Sequence, residues 1–193
     1  EFNQEAAWIY NGIDIEQYRP HKREFKDKIR ILIEGDSSSA HKNVDEAFMV
    51  TNMLDSSKYE VWYMSYNAKP KDWYRVDKFL HRVPYEEVQK VYANCDILLK
   101  TSLLESFSYP PIEMMATGGY VVALLNDGNK EYLEDGKNCL IYSNGNIDEA
   151  VCCIERIVSD QALRDVLYTN GVETAKSRDW NLIKESIIRV YCA

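Results

Sequence analysis

The stretch Thr101-Ser102-Leu103-Leu104-Glu105-Ser106-Phe107-Ser108-Tyr109-Pro110-Pro111-Ile112-Glu113 carries two carboxylates around a run of small polar residues and a double proline. Prolines at Pro110 and Pro111 fit only the first turn of a helix, where a missing N–H costs nothing. The amides of Ser106 to Tyr109 are then expected to point at a bound group, and the helix dipole favours an anion there. Glu113 lies about one turn inside that helix, so its carboxylate can face the same crevice and accept two hydrogen bonds from a vicinal diol. That is the chemistry of holding a ribose. Acidic residues also suit a first helical turn for dipole reasons alone, and Glu105 reads equally as a solvated loop residue.

A second polar loop, Asp36-Ser37-Ser38-Ser39-Ala40-His41-Lys42, follows the apolar run Ile29–Glu34 and Gly35. Lys42 sits just before a helix that Asn43 and Glu46 are expected to open as a capping box. A cation at the helix end that disfavours it suggests an anionic ligand, and its ammonium is a point charge suited to a diphosphate. The alternative is an exposed surface lysine. The three histidines, His21, His41 and His81, form no triad or metal-ligand pattern, and a structural role is their default reading.

These loops need a frame. Apolar strand candidates at Ile29–Glu34, Tyr59–Met64, Lys78–Val83, Asp96–Lys100, Tyr120–Leu125 and Cys139–Tyr142 alternate with helical patterns at about 44–54, Tyr85–Ala93, Pro110–Ala116 and Ile147–Val158. From Asp160 onward the pattern is helical. This order predicts right-handed βαβ units and an α/β fold: a Rossmann-like, doubly wound parallel sheet with helices on both faces, binding its ligand beyond the carboxyl ends of the strands. Residues 29–193 form the expected domain. Residues 1–28 read as an entry arm or interdomain linker, exposed from Arg19 to Lys28. The aromatic segment with Trp62, Tyr63, Tyr66, Trp73 and Tyr74 reads as strand and loop packing at the sheet edge.

The 193 residues include 46% hydrophobic and 28% charged side chains, which excludes wholesale disorder and suits one domain with a sizeable core. A net charge of −8 argues against nucleic acid and against a membrane surface as partner. No apolar run approaches the roughly 18–20 residues that span a bilayer. Five cysteines at no metal-ligand spacing read as buried thiols in a reducing, cytoplasmic setting. Without an initiator methionine, the chain reads as a piece of a longer protein, with Glu1-Phe2 as a cloning scar.

Glu105 and Glu113, with seven residues between them and followed by Met114-Met115-Ala116-Thr117-Gly118-Gly119-Tyr120-Val121-Val122, resemble the E-x7-E signature of retaining GT-B glycosyltransferases (usual form E-S-F-G-x-P-x-x-E-A-M-A-x-G-x-P-V-V). Asn11-Gly12-Ile13-Asp14 with Tyr18 and Pro20 resembles that family's linker between domains. Val83-Pro84 to Tyr92 with Cys95-Asp96 resembles its nucleotide-binding helix and next strand, and Glu131 with Glu134–Asn138 and Leu140 resembles its E-x-x-x-D-G-x-N-G-x-L segment. The resemblance implies the C-terminal, donor-binding half of a two-domain retaining hexosyltransferase of polysaccharide biosynthesis, whose acceptor-binding N-terminal domain lies elsewhere. It implies a nucleotide-sugar donor as substrate, no cofactor and no metal, and membrane association only through that other domain. Glu105 would lie by the transferred sugar and Lys42 on the diphosphate, as the catalytic pair. Glu113 would hold the ribose, and Ser106, Phe107 and Ser108 would meet the diphosphate and sugar. Arg82 and Val83 would read the base. His41 would stand in for the arginine that the family places where this chain has Asp36-Ser37-Ser38-Ser39. Other departures are Ser108 for glycine, which would be strained if that backbone needed positive φ, Tyr120 for proline and Cys139 for glycine. They keep open a non-catalytic nucleotide-sensing or protein-interaction module with the same half-fold; a GT-B-like sugar epimerase ranks last. An apolar face on the terminal helices, with Ile183, Ile187 and Val190, is expected to drive dimerisation of the isolated domain.

Overall fold

The computed structural model describes residues 9–25 and 27–192; the first eight residues of the arm, Lys26 and Ala193 lie outside them. Six strands, β1 (Ile29–Glu34), β2 (Tyr59–Ser65), β3 (Lys78–His81), β4 (Ile97–Lys100), β5 (Tyr120–Ala123) and β6 (Leu140–Ile141), form one sheet in the order β3-β2-β1-β4-β5-β6, with every pair parallel. The helices are α1 (Val44–Met53), α2 (Tyr85–Asn94), α3 (Tyr109–Ala116), α4 (Ile147–Ser159), α5 (Gln161–Ser177) and α6 (Trp180–Tyr191).

Strand alternation explains the two layers. Ile29, Ile31 and Ile33 of β1, Ile97 and Leu99 of β4 and Val122 of β5 pack with Ala47, Phe48 and Val50 of α1 and Ile154 and Ile157 of α4. Leu32, Leu98 and Val121 face the other way, onto Val91 and Tyr92 of α2 and Ile112, Met114 and Met115 of α3. Both faces of the central strands are therefore covered, and each fully buried Ile or Leu contributes roughly 1.5–3 kcal/mol. The strand order reverses between β1 and β4, which places the crevice beyond Glu34 and Lys100.

The aromatic segment divides. Tyr63 and Tyr74 are buried, with Tyr74 stacked on Phe48 at 3.7 Å between centroids, whereas Tyr66 and Trp73 are exposed. Three sequence expectations need correcting. Asn43 adopts left-handed backbone at φ 50° and makes no side-chain cap bond. Its side chain instead donates to Glu46, which also accepts from the Tyr142 hydroxyl and the Gly145 amide and so ties α1 to the loop after β6. Cys152 and Cys192 are exposed, while Cys95, Cys139 and Cys153 are buried, as free thiols.

The third correction concerns the arm. Arg23, within the stretch expected to be exposed, is only 8% exposed. Its guanidinium donates to the carbonyls of Tyr92 and Cys95 at the end of α2, to the Thr117 carbonyl and hydroxyl at the end of α3, and to His21. Helix C-termini carry orphan carbonyls and partial negative charge, so a cation shared between two of them is favourable. Further up, the Ile13 amide donates to Arg178 and the Trp180 amide to Ile13, joining the arm to the start of α6.

Candidate functional site

Three loops converge beyond the carboxyl ends of the central strands. The loop after β1 closes on itself: the Ser38 amide and hydroxyl both donate to Asp36 at 3.0 and 2.7 Å, so that serine is already engaged. It ends in a 3-10 turn, Ala40–Lys42, that presents Lys42 to the crevice. The loop after β4 is stitched to it, because the Leu103 amide donates to the His41 carbonyl and the Thr101 hydroxyl to the carbonyls of Lys42 and Asn43. The loop after β5 fastens from the other side: the Asn126 side-chain amide donates to the Ser102 carbonyl, and Gly128 packs flat against the Glu105 backbone.

Held this way, the Glu105 carboxylate accepts from Lys42 through both oxygens, at 2.8 and 2.9 Å. Lys100, the last residue of β4, sends its ammonium to within 3.4 Å of Glu105 and 2.5 Å of Glu34, the last residue of β1. Burial pushes the Glu105 carboxyl up, but the charges of Lys100 and Lys42 outweigh burial and hold it below its ordinary range. Glu105 is therefore ionised at neutral pH.

The amide row expected before α3 is shorter than the sequence suggests. The Ser108 amide donates to the Gly128 carbonyl at 3.1 Å, and Pro110 and Pro111 have no N–H to offer. Among the described residues the amides of Ser106, Phe107 and Tyr109 have no protein acceptor, so only the Ser108 amide of the four expected donors is committed within the protein. Ser108 adopts φ −87°, an ordinary extended conformation, so the serine there is not strained. Its hydroxyl is buried without a partner.

Glu113 does not join the Lys42–Glu105 pair. It is 8% exposed at the base of a separate hollow of about 280 Å³ lined by Gly12, Ile13, Tyr85, Tyr109 and Trp180. The Tyr18 hydroxyl donates to it at 3.0 Å, and the Tyr92 hydroxyl also faces it. Burial pushes the Glu113 carboxyl up, and these two hydroxyls offset only part of that. Val83 lines a third hollow, of about 180 Å³, with Glu34, Met64, Ser65, Tyr66 and Val88. Arg82, at φ 55°, donates to the Tyr66 carbonyl and lies over the Tyr66 ring. His41 is exposed and contributes its backbone carbonyl.

Sequence reasoning missed Lys100, Glu34 and the roles of Tyr18 and Asn126. The signal available for Lys100 was a charged residue ending the apolar run Ile97-Leu98-Leu99, which in a doubly wound sheet must sit at the ligand end of a buried strand.

Residues 75–174, just over half of the chain, match the model of the family described as glycosyl transferases group 1. The chain belongs to that family. The group 1 chain is 31% identical over 110 residues to the O-antigen biosynthesis protein RfbC of Myxococcus xanthus, which covers 57% of this chain and 8% of that protein. It spans a third or less of the length of the curated relatives it matches. Its fold matches Anabaena Alr3699/HepE, solved in complex with UDP-glucose, at TM-score 0.80 and 21% identity over 95% of this chain and 56% of that one. It also matches the C-terminal domain of the group 1 protein LpcC from Francisella tularensis, at TM-score 0.69 and 18% identity over 86% of this chain and 98% of that one. The group 1 chain thus has the Rossmann-like half-fold of GT-B glycosyltransferases. No helix among the described residues is long and apolar enough to cross a membrane.

Proposed function

We propose that this chain is the donor-binding domain of a retaining hexosyltransferase that takes a nucleotide-diphosphate sugar and passes the sugar to a saccharide acceptor. The observation that carries the reading is the Lys42–Glu105 pair at the switch point of the sheet, with Ser106 and Phe107 following Glu105 directly before the start of α3. The diphosphate sits on those amides and accepts from Lys42. As the bond to the sugar breaks, charge grows on the leaving diphosphate, and a fixed ammonium and two fixed amides stabilise it without reorganisation. In this reading the transfer is metal-independent, with Lys42 as the cation. Glu105, beside Lys42, meets the sugar. Glu113 with Tyr18 grips the ribose, and the hollow at Val83 takes the base.

Residues outside these 193 supply the acceptor site in this reading, which the partial coverage of HepE supports. A role in polysaccharide assembly is supported by the similarity to an O-antigen biosynthesis protein.

Calorimetric titration of the chain with UDP, GDP, TDP and ADP tests the reading. One diphosphate is expected to bind, and Lys42→Ala to weaken it at least about tenfold, the equivalent of one charge-assisted hydrogen bond at about 1.5–3 kcal/mol. A folded chain that binds none of the four, or binds one with no dependence on Lys42, would sink it.

A further inference from the structure

Lysine is almost never fully buried unless paired, and Lys100 is 1% exposed. Its ammonium touches Glu34 at 2.5 Å and Glu105 at 3.4 Å, so charges alternate along Glu34, Lys100, Glu105 and Lys42. The two lysines are not equivalent. Lys42 lies on a 3-10 turn with a quarter of its side chain exposed, free to swing towards a ligand. Lys100 extends from the end of a central strand, paired on both sides, and its stem is enclosed. If Lys42 turns to a diphosphate, Glu105, whose side chain is 12% exposed, loses its principal partner next to a new anion. A buried carboxylate in that position without another cation takes up a proton instead.

We propose that Lys100 is a positioning residue that keeps Glu105 ionised and in place while Lys42 serves the diphosphate, its charge shared with Glu34. The inference rests on Lys42 being the phosphate cation, as proposed above. The opposing influences on Glu105 agree with it: burial pushes the carboxyl up, and the charge of Lys100 pulls it down beside the hydrogen bond and charge of Lys42. The charged groups facing Glu105 are Lys42 from the loop after β1 and Lys100 from β4. Behind Lys100 stand Glu34 of β1, in contact, and Glu113 of α3, which feels the fields of both Lys100 and Glu34. One enclosed ammonium thus contacts two carboxylates and acts at longer range on a third.

The test needs no nucleotide, so its failure is distinguishable from failure of the binding reading. Carbon-13 carboxyl titration by NMR follows Glu105 in Lys42→Met, which imitates the departure of Lys42, and in Lys42→Met combined with Lys100→Met. Lys42→Met is expected to leave Glu105 ionised at neutral pH, and the second change to raise its midpoint by about 1–3 units, the effect of losing an opposite charge within reach. A midpoint that Lys100→Met leaves where Lys42→Met put it overturns the proposal. Glu34→Gln supplies a reading of opposite sign should Lys100→Met not fold. Freed from Glu34, Lys100 turns fully to Glu105 and lowers its midpoint, and an unchanged or raised midpoint there overturns the proposal as well.

Discussion

Gly128→Ala puts one methyl group where three loops meet. A Cβ built at Gly128 would stand 2.5 Å from the Glu105 carbonyl oxygen and 2.7 Å from its carbonyl carbon, both backbone atoms that cannot rotate aside. Real Cβ atoms essentially never come under 3.0 Å, so the loop after β5 and the loop carrying Glu105 must separate by at least half an ångström. Overpacking of that kind costs typically about 1–3 kcal/mol. The Ser108 amide donates to the Gly128 carbonyl at 3.1 Å, and stretching that bond adds about 0.5–1.5 kcal/mol. The expected loss is about 2–4 kcal/mol, a large share of a stability that is roughly 5–15 kcal/mol for a domain. Urea unfolding followed by circular dichroism reads it as a lower midpoint with an unchanged slope. The same displacement moves Glu105 and the Ser106 and Phe107 amides away from Lys42, so nucleotide affinity falls in the surviving folded fraction. An unchanged unfolding midpoint would refute the reasoning, because it would mean that the loops are not in contact there.

Two further outcomes follow from the buried polar groups. Arg23→Ala removes a guanidinium that satisfies carbonyls of two helix ends and is expected to cost about 3–5 kcal/mol in urea unfolding, whereas a loss under about 1 kcal/mol would mean the arm is only loosely attached. Glu113 has its folded pKa raised above the ordinary 4.5, so the unfolded chain gives up this proton first and stability falls as pH rises from 4.5 through the folded value. Glu113→Gln lacks that penalty, so its melting temperature should rise above that of the parent between pH 4 and pH 7; an equal difference at both pH values would contradict this.

The frame was largely legible because hydrophobic alternation is local. Ile29, Ile31 and Ile33 against Leu32 mark a strand covered on both faces, and a strand of that kind followed by Gly35 and a polar loop marks a ligand end. Lys42 and Glu105 stood out as charges directly after such strands. What stayed hidden depended on partners far away in the chain. The Ser108 amide is taken by Gly128, twenty residues on, and nothing between 101 and 113 announces it. Arg23 sits among Lys22, Glu24 and Lys28, where any charge looks solvated; it is buried because the ends of α2 and α3 converge on it. Asparagine suits both a helix cap and left-handed backbone, so the sequence around Asn43 does not separate the two, and the Tyr142 and Gly145 partners of Glu46 lie about a hundred residues away.

The central claim is that a diphosphate sits between Lys42 and the start of α3. The most direct measurement is an amide chemical-shift titration of the isotope-labelled chain with UDP, GDP, TDP and ADP in turn. At least one of the four is expected to give saturable shifts that are largest at Lys42, Ser106 and Phe107, with smaller ones at Val83. Shifts centred instead on the opposite end of the sheet, around Arg23 and Asn94, or none with any of the four, would contradict it.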